Sequence, residues 1–219
     1  MGASRGAWTA ERIRAAMALY AVTDSAWLGK RTLAECVEQA VSGGATFVQL
    51  REKGATTEEM AALAKTIAPV CRRAGVPFVI NDDVEAAALV GADGVHVGQS
   101  DMACRQARAV LGEDAIIGVS VQTVEQALSA QEAGADYLGV GAMIATPTKP
   151  DAADVSYSCL KEICATVSIP VVAIGGLNSQ TAPALQGSGI DGIAVVSALF
   201  AAPDIHEAAR ILRKVSEQL

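Results

Sequence analysis

Thr32-Leu-Ala-Glu-Cys-Val-Glu-Gln-Ala-Val-Ser-Gly-Gly-Ala-Thr-Phe-Val-Gln-Leu-Arg-Glu-Lys53 holds one helix and one strand, both written in local signals. Thr32 followed by Glu35 is a capping box, so a helix begins there. It runs to about Ser42, where Gly43-Gly44 stops it, and a buried strand follows from Thr46 to Arg51. Strand alternation puts Gln49, Arg51 and Lys53 on one face and Val48, Leu50 and Glu52 on the other. Two cations and an amide at the C-terminal tip of an otherwise apolar strand suit an anion held by charge-assisted hydrogen bonds. An edge strand dissolving into a solvated loop would carry the same residues, so the rest of the chain has to decide.

The unit repeats in both directions. Residues 1 to 16 read as a short helical lead-in, and the first strand is 18–22, closed by Thr23-Asp24. Thr56-x-x-Glu59 opens a helix that Gly75 ends, and strand 76–80 runs into Asn81-Asp82-Asp83. A short helix over 84–90 leads to strand 95–97, and a helix from about 102 to 111 leads to strand 115–119 and Ser120. Thr123-x-x-Gln126 opens a helix ending at Gly134, before strand 137–141. After a longer polar loop, Thr146 to Tyr157, come a helix over 158–167 and strand 170–174. Asn178 is expected to cap a helix reaching Gly187; strand 192–196 and a last helix over 205–218 close the chain. Eight apolar strands alternating with helices make a parallel sheet, and eight such units close a (β/α)8 TIM barrel. A doubly wound open sheet has fewer units and a Gly-x-Gly-x-x-Gly after its first strand, which is missing here. The domain reading is a lead-in over 1–17 and one catalytic barrel over 18–219. Gly-Ala-Asp recurs at Gly91 and Gly134, with a variant at Gly189, and reads as helix-to-strand turn chemistry.

Composition narrows the functional classes. A net charge of −7 on 219 residues argues against general nucleic-acid binding, so any cationic site is local. No run approaches the roughly 18 apolar residues of a membrane span, and the N-terminus has no continuous apolar signal core. The five cysteines, an odd number without Cys-x-x-Cys spacing, read as free thiols of a cytoplasmic protein.

In such barrels the active site lies at the C-terminal ends of the strands. Polar residues gather there: Gln49, Arg51 and Lys53, then Asn81 and Asp82, Gln99 and Asp101, Ser120, and Thr146, Thr148 and Lys149. Gly175-Gly176 and Val196-Ser197 end the seventh and eighth strands, where backbone N–H groups often bind a phosphate, although a plain turn would use the same glycines. Asp82 and Asp101 each precede a helix, so they are either caps or ligands of a hard divalent cation, Mg²⁺. Lys149 lies in the long loop, of the kind that closes over substrates. His96, within a strand of small residues, reads as packed rather than catalytic.

Val48-Gln-Leu-Arg-Glu-Lys53, Ile80-Asn-Asp82, Gly94-Val-His-Val-Gly-Gln-x-Asp101, Gly118-Val-Ser120, Thr146-Pro-Thr-Lys149, Ala173-Ile-Gly-Gly176 and Ala194-Val-Val-Ser197 together resemble the thiamine-phosphate synthase family, in order from about residue 18 to 200. Met143-Ile-Ala145 departs from the phenylalanine-proline pair of many members. The resemblance implies a Mg²⁺-dependent transferase of thiamine biosynthesis. It would join 4-amino-2-methyl-5-(hydroxymethyl)pyrimidine diphosphate to 4-methyl-5-(2-hydroxyethyl)thiazole phosphate and release pyrophosphate. It places the pyrimidine diphosphate at Gln49, Leu50, Arg51, Glu52, Lys53, Asn81, Ser120 and Lys149, with Arg51, Lys53, Ser120 and Lys149 as the catalytic set. Mg²⁺ would sit on Asp82 and Asp101, and the thiazole phosphate at Thr146, Pro147, Thr148, Gly176, Val196 and Ser197. The implied partners are these small molecules, with no nucleic acid or membrane, and with a homo-oligomer left open. The rivals are a thiazole tautomerase, which needs no diphosphate site, another phosphate-binding barrel such as a phosphosugar isomerase, and a non-catalytic phosphate sensor.

Overall fold

In the computed structural model, which describes residues 8–98, 104–144 and 155–219, eight four- to six-residue strands pair in parallel and in sequence order into a closed barrel. They are β1 Leu19–Val22, β2 Phe47–Leu50, β3 Phe78–Asn81, β4 Gly94–Val97, β5 Ile116–Val121, β6 Tyr137–Val140, β7 Val171–Ile174 and β8 Gly192–Val195. Each lies within about two residues of its expected place, because a buried apolar run bounded by turn residues leaves little freedom in register. The helices on the outside are α1 Ala10–Ala16, α2 Leu33–Gly43, α3 Thr57–Ala74, α4 Val84–Val90, α5 Cys104–Leu111, α6 Val124–Glu132, α7 Tyr157–Thr166, α8 Ser197–Phe200 and α9 Ile205–Ser216. Both expected capping boxes form, Thr32 with Glu35 and Thr56 with Glu59. None of the described helices is long and apolar enough to cross a membrane, and all five cysteines are free thiols.

One expected helix is absent. The segment after Asn178 is a 3-10 turn over Ala182–Leu185. Asn178 Oδ1 does accept from the backbone N–H groups of Gln180 and Thr181, as a cap would. Pro183, however, has no N–H to give and its ring crowds the preceding turn, which disfavours an α-helix in so short a segment.

The core has two shells. One lies between strands and helices; the other fills the barrel with Tyr20, Phe47, Val79, Ile116, Tyr137, Val172 and Ala194. The lead-in belongs to this second shell, because α1 sends Ile13 and, just beyond it, Met17 up into the barrel from below.

The recurring Gly-Ala-Asp phrase ties the barrel together at its N-terminal end. The N–H of Phe78, at the start of β3, donates to Asp93 Oδ2 at 2.9 Å, that of Ile117 in β5 to Asp136 Oδ2 at 2.7 Å, and that of Val171 in β7 to Asp191 Oδ2 at 2.8 Å. Thr46 does the same for Leu19 of β1 through its hydroxyl at 2.9 Å. In every case the backbone N–H of the clamping residue returns the bond, at 2.8 Å, to the carbonyl of the residue it clamps. Each odd strand is therefore pinned to the next even one by a reciprocal pair of bonds. Outer groups steady the carboxylates: the Trp8 indole on Asp93, Arg108 on Asp136 and Arg14 on Asp191. Turn chemistry, as expected, occupies these aspartates, and closure of the barrel gives it a cross-strand role.

Asp136→Ala leaves the Ile117 N–H buried and unpaired and Arg108 without its carboxylate. Such a loss costs about 2 kcal/mol, which for a chain of this length lowers the melting temperature by about 5 °C. Asp136→Asn keeps an acceptor for Ile117 and should lose less. Thermal unfolding of both variants checks the order; equal losses would assign the whole effect to Arg108.

Candidate active site

At the C-terminal ends of β2 and β3 an open cleft of about 550 Å³ is lined by Arg51, Glu52, Lys53, Asn81, Asp82 and Asp83, among others. Closure thus brings together residues that the sequence separates by about thirty positions. Arg51 is the most telling of them. Its residue is only 9% exposed, yet among the described residues its guanidinium makes no hydrogen bond or ion pair. A nearly buried cation without a carboxylate is unfavourable by itself. Thr23 fixes the backbone beneath it: Arg51 N donates to Thr23 Oγ1 at 2.9 Å.

Glu52, expected among the diphosphate-binding residues, uses its carboxylate otherwise. It accepts from the Thr23 hydroxyl, and from the backbone N–H and hydroxyl of Ser25. Its part is to hold the β1 loop beside the cleft, and this keeps its negative charge away from the guanidinium. Leu50, on the same face of the strand, is fully buried toward the helices, so it contributes backbone alone.

The two readings of Asp82 separate here. Asp83, not Asp82, caps α4, accepting from the Ala86 N–H at 2.7 Å. Asp82 instead has a left-handed backbone, φ 63°, with its N–H on the His96 carbonyl and its Oδ2 accepting from Asn81 Nδ2 at 2.5 Å. Outside glycine, that backbone region is costly and is best tolerated by Asn and Asp. Asp82 is therefore held at the cleft by the ends of β3 and β4 and does no capping. Asp101, its expected companion, lies outside the described residues, as do Gln99, Thr146, Pro147, Thr148 and Lys149. Among the described residues no group of three or more metal-ligating side chains forms.

Gln49 and Ser120 occupy opposite ends of a polar row inside the barrel. Gln49 Nε2 donates to the Tyr20 hydroxyl, which meets the Tyr137 hydroxyl; Tyr137 reaches His96 Nδ1, and His96 Nε2 reaches Ser120 Oγ. His96 is packed, as expected, and is also bonded at both ring nitrogens. Burial raises the pKa of both phenols, so Tyr20 and Tyr137 keep their hydrogens. Sequence reasoning passed over both tyrosines. A signal was present in the mid-strand glycines: a Cβ on Gly118 would lie 2.1 Å from the Tyr137 ring and 2.5 Å from His96 Nδ1, and one on Gly139 would lie 3.1 Å from His96 Cε1. Those glycines leave room for the two rings.

Across the mouth, β7 and β8 pair as far as Ile174 and Ala194, so Gly175-Gly176 and Val196-Ser197 leave the barrel side by side. Ser197 is exposed and opens the four-residue α8. Gly176 has φ 65°, and a Cβ there would lie 2.6 Å from Ile144 Cβ. Its close approach is therefore to the root of the β6 loop. Met143 N and Ile144 N also bond to the carbonyls of Ile174 and Gly175, which ties these two residues of the departure to the end of β7.

A family model described as thiamine monophosphate synthase matches residues 19–199. A thiamine-phosphate synthase of Ruminiclostridium cellulolyticum is 48% identical over 197 residues, covering 90% of this chain and 94% of its own. Another, from Chloroflexus aurantiacus, is 50% identical over 196 residues, covering 89% and 90%. Among solved structures, thiamine phosphate pyrophosphorylase from Pyrococcus furiosus matches with a TM-score of 0.86 at 40% identity, over 94% of this chain and 98% of that one.

The capping assignment is checked by thermal unfolding. Asp83→Ala removes a helix cap and should cost about 1 kcal/mol, whereas Asp82→Asn, which keeps a residue suited to left-handed backbone, should leave the melting temperature nearly unchanged. The reverse order would make Asp82 the cap.

Proposed function

The chain belongs to the thiamine monophosphate synthase family, and on that premise we propose how its residues divide between two substrates. The activity is transfer of the (aminopyrimidinyl)methyl group from diphosphate to the thiazole nitrogen, which gives thiamine phosphate and pyrophosphate. The carbon–oxygen bond to the diphosphate breaks with its electron pair on the leaving group. The electron-rich pyrimidine carries the benzyl-like cation that remains, and the thiazole nitrogen lone pair forms the new carbon–nitrogen bond. No proton has to be removed, so the protein's task is to stabilise the leaving anion and to hold the nucleophile in line.

Arg51, Lys53 and Asn81 hold the diphosphate, and Lys149 adds a further charge. The observation that carries this reading is the nearly buried Arg51, whose guanidinium has no carboxylate partner among the described residues. Gln49 and Ser120 orient the pyrimidine. Thr146, Pro147, Thr148, Gly176, Val196 and Ser197 hold the thiazole phosphate, a reading supported by the adjacent ends of β7 and β8. A tautomerase acting on the thiazole alone would have no use for the cationic cleft.

Asp82 fits a hard cation: it lines the same cleft as Arg51 and Lys53, and its carboxylate is not used as a cap. With Asp101 it would hold Mg²⁺, which when bound neutralises diphosphate oxygens and so makes pyrophosphate a better leaving group.

Pyrophosphate release measured with both substrates, with each alone, and with EDTA tests the reading as a whole. Release should need both substrates and stop with EDTA; release from the diphosphate alone would point to a hydrolase. Arg51→Ala should lower turnover by about two orders of magnitude, as losing one preorganised charge at a developing anion does. Near-normal turnover would remove Arg51 from the diphosphate site. Asp82→Asn should raise the Mg²⁺ requirement steeply, and unchanged Mg²⁺ dependence would exclude Asp82 as a ligand.

For the thiazole phosphate, Ser197→Ala is a cleaner probe than Gly176→Val, because a side chain on Gly176 strikes Ile144 and so disturbs the β6 loop as well. Ser197→Ala should raise the KM for the thiazole phosphate about tenfold, the value of one hydrogen bond to a charged group, and leave that for the pyrimidine diphosphate unchanged. A rise in both would place Ser197 elsewhere.

A further inference from the structure

The polar row inside the barrel has a direction. Gln49 Nε2 lies 2.6 Å from the Tyr20 hydroxyl, the two tyrosine hydroxyls 2.7 Å apart, and the His96 nitrogens each 2.9 Å from Tyr137 Oη and Ser120 Oγ. A hydroxyl has one hydrogen to donate, and a neutral imidazole has one donor and one acceptor nitrogen. The Gln49 amide donates to Tyr20, so the Tyr20 hydrogen goes on to Tyr137 and the Tyr137 hydrogen to His96 Nδ1. The imidazole then carries its hydrogen on Nε2 and gives it to Ser120 Oγ. At the two ends, the Gln49 carbonyl oxygen and the Ser120 hydroxyl hydrogen are not used within the row. The opposite order also satisfies every group, but only if the Gln49 amide turns over so that its oxygen accepts from Tyr20. The two ends therefore change polarity together.

We propose that Tyr20, Tyr137 and His96 form a one-directional hydrogen-bond wire that sets in concert which atoms Gln49 and Ser120 present to the pyrimidine. They are positioning residues, acting through the two ends. The proposal rests on the assignment of Gln49 and Ser120 to the pyrimidine made above. An aminopyrimidine edge offers a hydrogen-bond donor, its amino group, beside an acceptor, its ring nitrogen. A wire of fixed polarity matches that pair in one orientation and opposes the flipped ring. The row is buried, with Tyr20, Tyr137, Gln49 and His96 all under 10% exposed, so an unmatched hydroxyl within it is costly and the order is enforced.

The test reads the histidine tautomer by ¹⁵N NMR in the ligand-free enzyme. The chain has two histidines, and an exposed-site His206→Gln variant assigns the signals of His96. The wild type should show the Nε2–H tautomer; an Nδ1–H or doubly protonated ring overturns the proposal. Gln49→Glu introduces a carboxylate that, once ionised at alkaline pH, can only accept from Tyr20. The wire must then reverse, and His96 should switch to Nδ1–H although it does not touch position 49. Tyr20→Phe in the same background should abolish the switch. Persistence of the Nε2–H tautomer in Gln49→Glu, or a switch that survives Tyr20→Phe, overturns the coupling.

Kinetics then separate the wire from the site assignment. In folded Tyr20→Phe enzyme the KM for the pyrimidine diphosphate should rise about tenfold, as for one buried hydrogen bond lost, with the thiazole phosphate KM unchanged. If Gln49→Leu moves the pyrimidine KM and Tyr20→Phe does not, the site assignment stands and the wire proposal alone is overturned. If neither moves it, the pyrimidine assignment fails together with the proposal.

Discussion

Register is the constraint on which this barrel depends. Most of its strands are four residues long, and in a strand a slip of one residue turns every interior side chain outward. Four reciprocal clamps oppose that slip: Thr46 on Leu19, Asp93 on Phe78, Asp136 on Ile117 and Asp191 on Val171. Each pins the first residues of an odd strand to the start of its even neighbour, and an outer cation or indole steadies each aspartate. The order fixed at the floor is transmitted upward. Because Tyr20, Phe47, Ile116 and Tyr137 point inward there, Gln49 and Ser120 point inward one layer higher, and Arg51 emerges at the mouth.

The barrel interior changes character along its axis. Below, α1 and the apolar layer form an inert plug in which Tyr20, Phe47 and Tyr137 pack with ring centroids 4.4–5.9 Å apart. The hydroxyls of these two tyrosines join the polar row that crosses five strands, and above it Arg51, Lys53 and Asp82 line the mouth. Dividing the barrel this way lets the floor supply stability while the upper end carries the polar and charged groups. Gly118 and Gly139 link the two halves, since only without Cβ atoms can the Tyr137 and His96 rings lie over them.

Backbone geometry at the strand ends does comparable work. Asp82 and Gly176 both have a left-handed backbone just past their strands, and each is held there by a neighbouring strand end or loop: Asp82 by the His96 carbonyl, Gly176 against Ile144. The first of these turns a carboxylate into the cleft and leaves helix capping to Asp83. The second packs the end of β7 against Ile144, which lies just past β6.

The sequence by itself determined the architecture: the eight repeats, both capping boxes, and the strand-end positions of Gln49, Arg51, Lys53, Asn81, Asp82, Ser120, Gly176 and Ser197. These depend on neighbours a few residues away, through periodicity, capping and turn preference, and such signals survive in one dimension. It misplaced what depends on a local competition, as after Asn178, where a cap is present and Pro183 defeats it. Tertiary structure alone decided which of two adjacent aspartates caps α4, that Glu52 braces the β1 loop, and that three aspartates and a threonine clamp neighbouring strands. It alone joined Tyr20 to Gln49, 29 residues on, and to Tyr137, 117 residues on. Those bonds exist only once the barrel has closed, because a side chain's partner across a sheet is set by strand order and register, which no short window of sequence contains.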